Sequence, residues 1–434
     1  YEVMLSESQE RMLVIPKIEH LDDVLALFRR WELHADVIGH VTGDQMATIR
    51  DGDTVVARMP VAIFGDPPQY PPAGERPASL DALQSIDPGE QPDVNDPSSV
   101  LLRLLGSENI ASRRWIFRQY DHMVQNNTII RPGGDAAVIR VRGTSKGVAV
   151  ATDCNGRFLA LDPRTGAAMA VAEAARNVVA TGATPAALTD CLNFGNPEKP
   201  DVAYQLKEAI IGLSEAARAL GTPVISGNAS LYNETPGGAI IPTPGIGMVG
   251  VIDDIARHLT IVPRPGDLLV LLGGPVEQSA STLSGSEYQH VIQETLGGCP
   301  SIDLDLEVRV QWLVLKLHAS GLLSAAHDLA DGGLAVAVAE MCIAAGHGLL
   351  ADGVDLGERL DAALFGEASS RFLVAVRDAD AASTVSALAS AVGVPSTTLG
   401  WVEGDMIRLG SLAVTLNAAR GEWEIGLERA LAEG

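Results

Sequence analysis

Two stretches of this chain repeat each other. Leu5–Val14 (LSESQERMLV) resembles Phe365–Val374 (FGEASSRFLV), and Ile38–Asp44 (IGHVTGD) resembles Leu399–Asp405 (LGWVEGD), in the same order and at nearly the same spacing. Two matches in register define an internal repeat, and a repeat constrains the fold more than any local motif does. The first 60 or so residues therefore read as the tail of one domain whose full copy lies at the C-terminus. The upstream part of the first copy is expected to lie outside the chain.

Punctuation along the sequence divides the rest. Nine of the 24 prolines fall between Pro60 and Pro97, so Asp66–Pro97 reads as a linker or a long wrapping loop. Beyond it, apolar β-type runs alternate with small-residue helices. Gly166–Thr181 reads as a buried helix, and Tyr204–Leu220 carries Leu206, Ala209, Ile210, Leu213, Ala217 and Leu220 at helical spacing. Pro223–Ser226 and Leu268–Leu272 read as strands, with a boundary near Val262. The expected organisation is a first-copy tail over 1–65, a Pro-rich linker over 66–98, and two α/β domains over 99–262 and 263–434.

Composition narrows the partners. A net charge of −24 over 434 residues repels nucleic acid and anionic membranes. A phosphate ligand would have to be held by backbone N–H groups and metal ions rather than by a basic patch. Cys154, Cys191, Cys299 and Cys342 have neither disulfide-framework nor metal-site spacing, so a reduced, cytoplasmic setting is expected. No apolar run is long enough to span a bilayer.

Four stretches carry polar residues that suit chemistry. In Thr189–Pro197 an apolar run ends in Asp190, placed to hold Mg²⁺ or a nucleotide; the plainer reading is an Asx-turn. In Ser226–Glu234, Gly227 lets a phosphate approach the backbone, Asn228 offers a hard oxygen and Ser230 a hydroxyl; the plainer reading is a polar surface turn. Ser6–Gln9 is either a capping box or a set of side chains and N–H groups aimed at an anion. His327–Leu334 runs into an Ala-rich helix, where Asp331 either caps the helix or belongs to a phosphate or metal site. Gly245–Gly250 matches G-x-G-x-x-G but continues into a strand instead of a helix, so it is not a dinucleotide fingerprint. No P-loop, zinc-ligand pair or nucleophile elbow appears.

These stretches, with Asn109–Ser112, Gln119–His122, Gly134–Val138, Asp153–Arg157 and Ala172–Asn177, closely resemble the PurL family of formylglycinamide ribonucleotide amidotransferase synthetases. The resemblance implies an α/β (α+β) fold built as a tandem repeat. Each copy pairs a PurM-like A domain with a PurM-like C-terminal α/β domain, and the first copy is truncated here. It implies ATP-dependent conversion of formylglycinamide ribonucleotide, with ammonia, to formylglycinamidine ribonucleotide. ATP phosphorylates the amide oxygen and ammonia displaces the phosphate. By position, Glu7, Ser8, Gln9 and Ser230 match substrate-binding residues, Asp190 and Gly227 match ATP contacts, and Asn228 matches a Mg²⁺ ligand. Asp153 and Asp328 match an auxiliary nucleotide site, although Cys154 stands where relatives usually carry Gly. The family's catalytic histidine lies upstream of Tyr1, and the surroundings of His20, His34 and His40 do not replace it. Expected partners are the missing N-terminal half, a separate glutaminase and a small bridging subunit. Two other readings remain open: a noncatalytic nucleotide-binding half of such an enzyme, or another ATP-dependent synthetase or kinase of the same superfamily.

Overall fold

The computed structural model describes residues 10–66 and 73–433. The chain divides into two compact units at Pro71/Pro72. In the first, the amphipathic helix Leu21–Arg30 precedes an antiparallel hairpin of Met46–Asp51 and Thr54–Pro60. This hairpin turns at Gly52, with φ of 56°. In the second unit, Met406–Leu409 and Leu412–Thr415 form a matching hairpin that turns at Gly410, with φ of 57°. Each hairpin directly follows the second repeated segment, so the repeat in sequence continues as a repeat in structure.

The second unit holds two large sheets and a short two-stranded one, Glu234–Thr235 with Gly238–Ala239. The first has six strands in the order Thr128–Ile130, Ala137–Arg140, Gly147–Asp153, Thr243–Ile252, Thr184–Asn193 and Val224–Ser230. All neighbours are antiparallel except the last pair. Helix Pro163–Ala180 packs on one face. Its alanines let the backbone lie close, and Gly212 lets Pro200–Leu220 in turn pack tightly against it near Arg164. The helix starts where Asp162 accepts the Arg164 and Thr165 N–H groups, with Pro163 in the first turn.

The second sheet has seven strands, in the order Ala325–Asp328, Phe372–Val376, Leu268–Leu272, Ser396–Val402, Leu349–Ala351, Met406–Leu409 and Leu412–Thr415. Its central strands are buried on both faces. Alternate residues feed two cores: Leu269, Leu271, Leu373 and Ala375 face helix Gly333–Ala345, while Val270, Phe372 and Val374 face helices Leu304–Ala319 and Ala379–Ala391.

From residue 73 onward the Pro-rich segment wraps this unit. Arg76 donates to Tyr204 (2.9 Å), Leu80 is buried, and Asp93 accepts the N–H groups of Leu360 (3.0 Å) and Asp361 (2.8 Å). Proline-rich composition therefore marks a pinned arm here, because its side chains supply the contacts that regular strands would supply elsewhere.

Candidate functional site

The strand Thr184–Asn193 lies beside the edge strand Val224–Ser230, in parallel. Asp190 stands opposite Gly227, Cys191 opposite Asn228 and Asn193 opposite Ser230. A Cβ on Gly227 would lie 2.8 Å from Asp190 Cγ, so only glycine leaves room for this carboxylate. Asp190 is half-buried, and burial raises its pKa. Strand alternation puts Asp190 on the face that carries Leu188 and Ile246, while Asn228 and Ser230 share the opposite face. The four residues thus straddle one strand, and every residue of that strand is exposed.

Two loops fix the end of this ledge. Asn233 Nδ2 donates to the carbonyls of Ser230 (2.7 Å) and Phe194 (3.2 Å). The Glu234 carboxylate accepts from the Asn196 N–H (2.9 Å) and from Lys199 Nζ (2.7 Å). Sequence reasoning did not single out Lys199, Glu234 or Asn233. The only signal was that Asn233 and Glu234 end one polar stretch and Lys199 lies two residues beyond the other, which gives no sign that the two meet.

A second constellation lies where the two sheets meet. Arg176, 1% exposed, bonds Glu307 (3.1 Å) and Asp328 (3.4 Å) and pairs with Glu173 (3.5 Å). Despite the cost of burying the charge, these carboxylates hold the guanidinium protonated. Asp153 joins them. Burial, reinforced by Asp331 and opposed by Arg176, pushes Asp153 up to about 8. Burial pushes Asp328 up to about 7 and Asp331 up to about 6. Asp331 keeps 39% of its side chain exposed, so its shift weighs least. Neighbouring Cys154 is pushed up to about 12 by burial and is no thiolate.

Among the described residues, Asp135, His327 and Asp328 have metal-like spacing. His327 Nδ1 lies 2.6 Å from Asp135 and Nε2 lies 3.1 Å from Glu340. Burial opposes its charge, but the two carboxylates outweigh that and raise its pKa well above the ordinary value. With both ring nitrogens against carboxylates, the imidazole is held here in an ion-pair cluster.

Several expectations change. Asp190 lies within a strand that continues to Asn193, not in an Asx-turn. Ser226–Ser230 is strand rather than turn, because its backbone pairs with Thr189–Asn193. Asp331 does not cap helix Gly333–Ala345. The cap is Gly332 at φ 78°, while Asp331 accepts from Asn155 Nδ2 (3.2 Å). Gly245–Gly250 lies within a strand, as expected. Glu7, Ser8 and Gln9 lie outside the described residues. No helix among the described residues is long and apolar enough to cross a membrane.

The N-terminal domain of AIR synthase related proteins matches residues 133–252. Their C-terminal domain matches twice, over 1–52 and 264–409, so the repeat is a repeat of this domain. The phosphoribosylformylglycinamidine synthase subunit PurL of Moorella thermoacetica is 48% identical over 422 residues, 96% of this chain and 56% of that protein. The PurL subunit of Alkaliphilus metalliredigens is 46% identical over 412 residues, 94% and 55%. The chain therefore spans just over half the length of these relatives. Among solved structures, Thermotoga maritima PurL complexed with ATP superposes with a TM-score of 0.60 at 23% identity, covering 92% of this chain and 56% of that one. PurLQS from the same organism gives 0.59 at 25%, covering 93% and 56%. With both domains matched in family order and these relatives nearly half identical along its length, the chain belongs to the AIR synthase related family, on the branch of the PurL subunits.

Proposed function

We propose that the chain is the C-terminal part of a phosphoribosylformylglycinamidine synthase. This enzyme turns formylglycinamide ribonucleotide, ATP and ammonia into formylglycinamidine ribonucleotide, ADP and phosphate. The observation that carries the reading is the straddled edge strand, where the Asp190 carboxylate fills the space a side chain at Gly227 would take. Asp190 and the bare backbone at Gly227 suit ATP, whose phosphates find no basic patch on so acidic a chain. Asn228 presents a hard, neutral oxygen of the kind Mg²⁺ takes, and the ion, when bound, would offset phosphate charge. Ser230, with Glu7, Ser8 and Gln9, would hold the ribonucleotide. Asp153 and Asp328 would belong to an auxiliary nucleotide site.

The ledge is open, and its remaining wall would come from the other half of the protein, which would also bring the catalytic histidine. Ile225, Val251 and Ile139 are exposed at 70, 37 and 41% on this sheet, and in the first unit Met12, Leu13, Ile15 and Ile18 are each at least 70% exposed. Apolar surface of this extent calls for a covering partner. A glutaminase and a small bridging subunit would supply ammonia in the cytoplasm. On this reading 1–65 is the tail of the first C-terminal domain, 99–262 the second N-terminal domain and 263–434 the second C-terminal domain. The test is product formation by the full-length protein with ATP, Mg²⁺, ammonium and the ribonucleotide. ADP and formylglycinamidine ribonucleotide in equal amounts support the reading. A folded full-length protein that makes neither overturns it.

A further inference from the structure

The turn that ends the ledge is held in a conformation its residues disfavour. Tyr232 sits at φ 61°, in the left-handed region that a bulky side chain avoids. Such a residue persists only where its surroundings fix it. Here they do. The Tyr232 N–H donates to the Gly195 carbonyl (3.0 Å), the Asn233 N–H to the Phe194 carbonyl (3.1 Å), and the Phe194 N–H returns to the Ser230 carbonyl (3.0 Å). Strain kept in place by so many bonds marks a segment whose geometry matters.

These ties converge on Asn233. Its Nδ2 donates to the Ser230 carbonyl (2.7 Å) and to the Phe194 carbonyl (3.2 Å), so one amide joins the last residue of the strand to the facing loop. The Lys199–Glu234 pair ties the same two stretches, but its side chains are 50% and 24% exposed, where an ion pair contributes little. The amide also leaves the Ser230 hydroxyl nearly alone. Ser230 Oγ lies 3.2 Å from Asn233 Nδ2 and 3.4 Å from Oδ1. Good O–H···O bonds run at about 2.5–3.0 Å, so the hydroxyl proton has no close acceptor in this contact. Ser230 is exposed, and among the described residues its hydroxyl bonds no other group. Its backbone is thus fixed from two directions while its O–H stays free to donate.

We propose that Asn233 is a positioning residue: its amide clamps the Ser230 backbone to the Phe194 loop and so holds the Ser230 hydroxyl where an acceptor oxygen of the ligand, on a phosphate or a carbonyl, receives its hydrogen bond. That the ligand is the ribonucleotide rests on the function proposed above; the clamp rests on the geometry alone.

The test uses full-length protein with Asn233→Ala, Asn233→Asp, Ser230→Ala and the double variant Asn233→Ala, Ser230→Ala. Asp keeps the shape of Asn but turns a carboxylate oxygen on the two carbonyls, so it should fail as Ala does. In each single variant, kcat/KM for the ribonucleotide is expected to fall by about tenfold, the order of one lost hydrogen bond, while KM for ATP stays near that of the wild type. Because Asn233 acts through Ser230, the double variant should be no worse than Ser230→Ala. A purely structural turn residue would raise both KM values, and its loss would multiply with that of Ser230. Multiplying losses, or an Asn233→Asp variant with wild-type kinetics, would overturn the inference. Crystals of the Asn233→Ala variant give a reading independent of turnover. Ser230 should shift or lose order while residues 224–227 stay in place, and an unmoved Ser230 overturns the clamp. A wild-type protein that does not turn over the ribonucleotide would sink the proposed function and leave the crystals to decide this inference.

Discussion

The Asp190 carboxylate lies against the backbone of Gly227, in the place a side chain at 227 would occupy: an added Cβ there would sit 2.8 Å from Asp190 Cγ and 3.0 Å from Oδ2. A side chain at 227 would have to displace the carboxylate. Gly227→Ala should therefore displace the carboxylate without unfolding an exposed edge strand. In the full-length protein we expect ATP-dependent turnover to fall by about tenfold or more, the order of one misplaced polar contact, with little change in melting temperature. Steady-state kinetics with varied ATP, beside a thermal melt, checks both halves. Unaltered kinetics would remove Asp190 from the site.

Arg176 neutralises carboxylates that cannot reach water. Arg176→Met keeps the bulk but strands Glu307 and Asp328, which are 0% and 3% exposed. Loss of one partner of a buried pair costs about 3–5 kcal/mol. Urea denaturation should show a loss of that size, and the double variant Arg176→Met, Glu307→Gln should recover part of it.

The raised carboxylates make stability depend on pH in a defined direction. Asp153 at about 8, Asp328 at about 7 and Asp331 at about 6 hold protons in the folded state that the unfolded chain releases near 4. The folded state binds more protons over that window, so the stability these three groups contribute falls as pH rises from about 4 to about 8 and is lost above. Melting temperatures in chelator should decline between pH 6 and 8, and Asp153→Asn should flatten the decline. If Asp153 and Asp328 serve a Mg²⁺-nucleotide site, Mg²⁺ with ADP should raise the melting temperature more at pH 8 than at pH 6.

Gly333 opens its helix at φ 66°, where a Cβ would meet the Gly366 carbonyl oxygen at 2.7 Å. Gly333→Ala combines left-handed strain with a backbone clash. We expect a cost of about 2 kcal/mol or more, measured by chemical denaturation, whereas Gly321→Ala, also at positive φ but with open space around it, should cost less.

Much of this architecture is legible in the residues. Helical spacing located Tyr204–Leu220 within helix Pro200–Leu220, and the apolar run Leu268–Leu272 is a strand with those bounds. The repeat foretold a shared domain, and the glycine-turned hairpins extend it. What the sequence withheld is tertiary. Arg176 sits in an Ala-rich helix whose pattern announces burial, yet its partners Glu307 and Asp328 lie far along the chain, where no spacing rule reaches. Asp331 resembled a helix cap because Asp before a helix usually is one; the neighbouring glycine took that place and freed the carboxylate to face Asn155. Asp190 and Gly227 were each legible as site residues, but their contact comes from parallel strand register.

The Arg176 cluster has a consequence for how such a protein is assembled in evolution. The arginine comes from the layer over the first sheet, and Glu307 and Asp328 come from the second. Val179 and Ala180, at the end of the same helix, are buried in the second sheet's core. The two domains are separate as families of sequence but not as objects that can be traded. A recombination event near residue 262 that joined halves from different lineages would have to bring matching charges on both sides, so the pair is inherited as one piece.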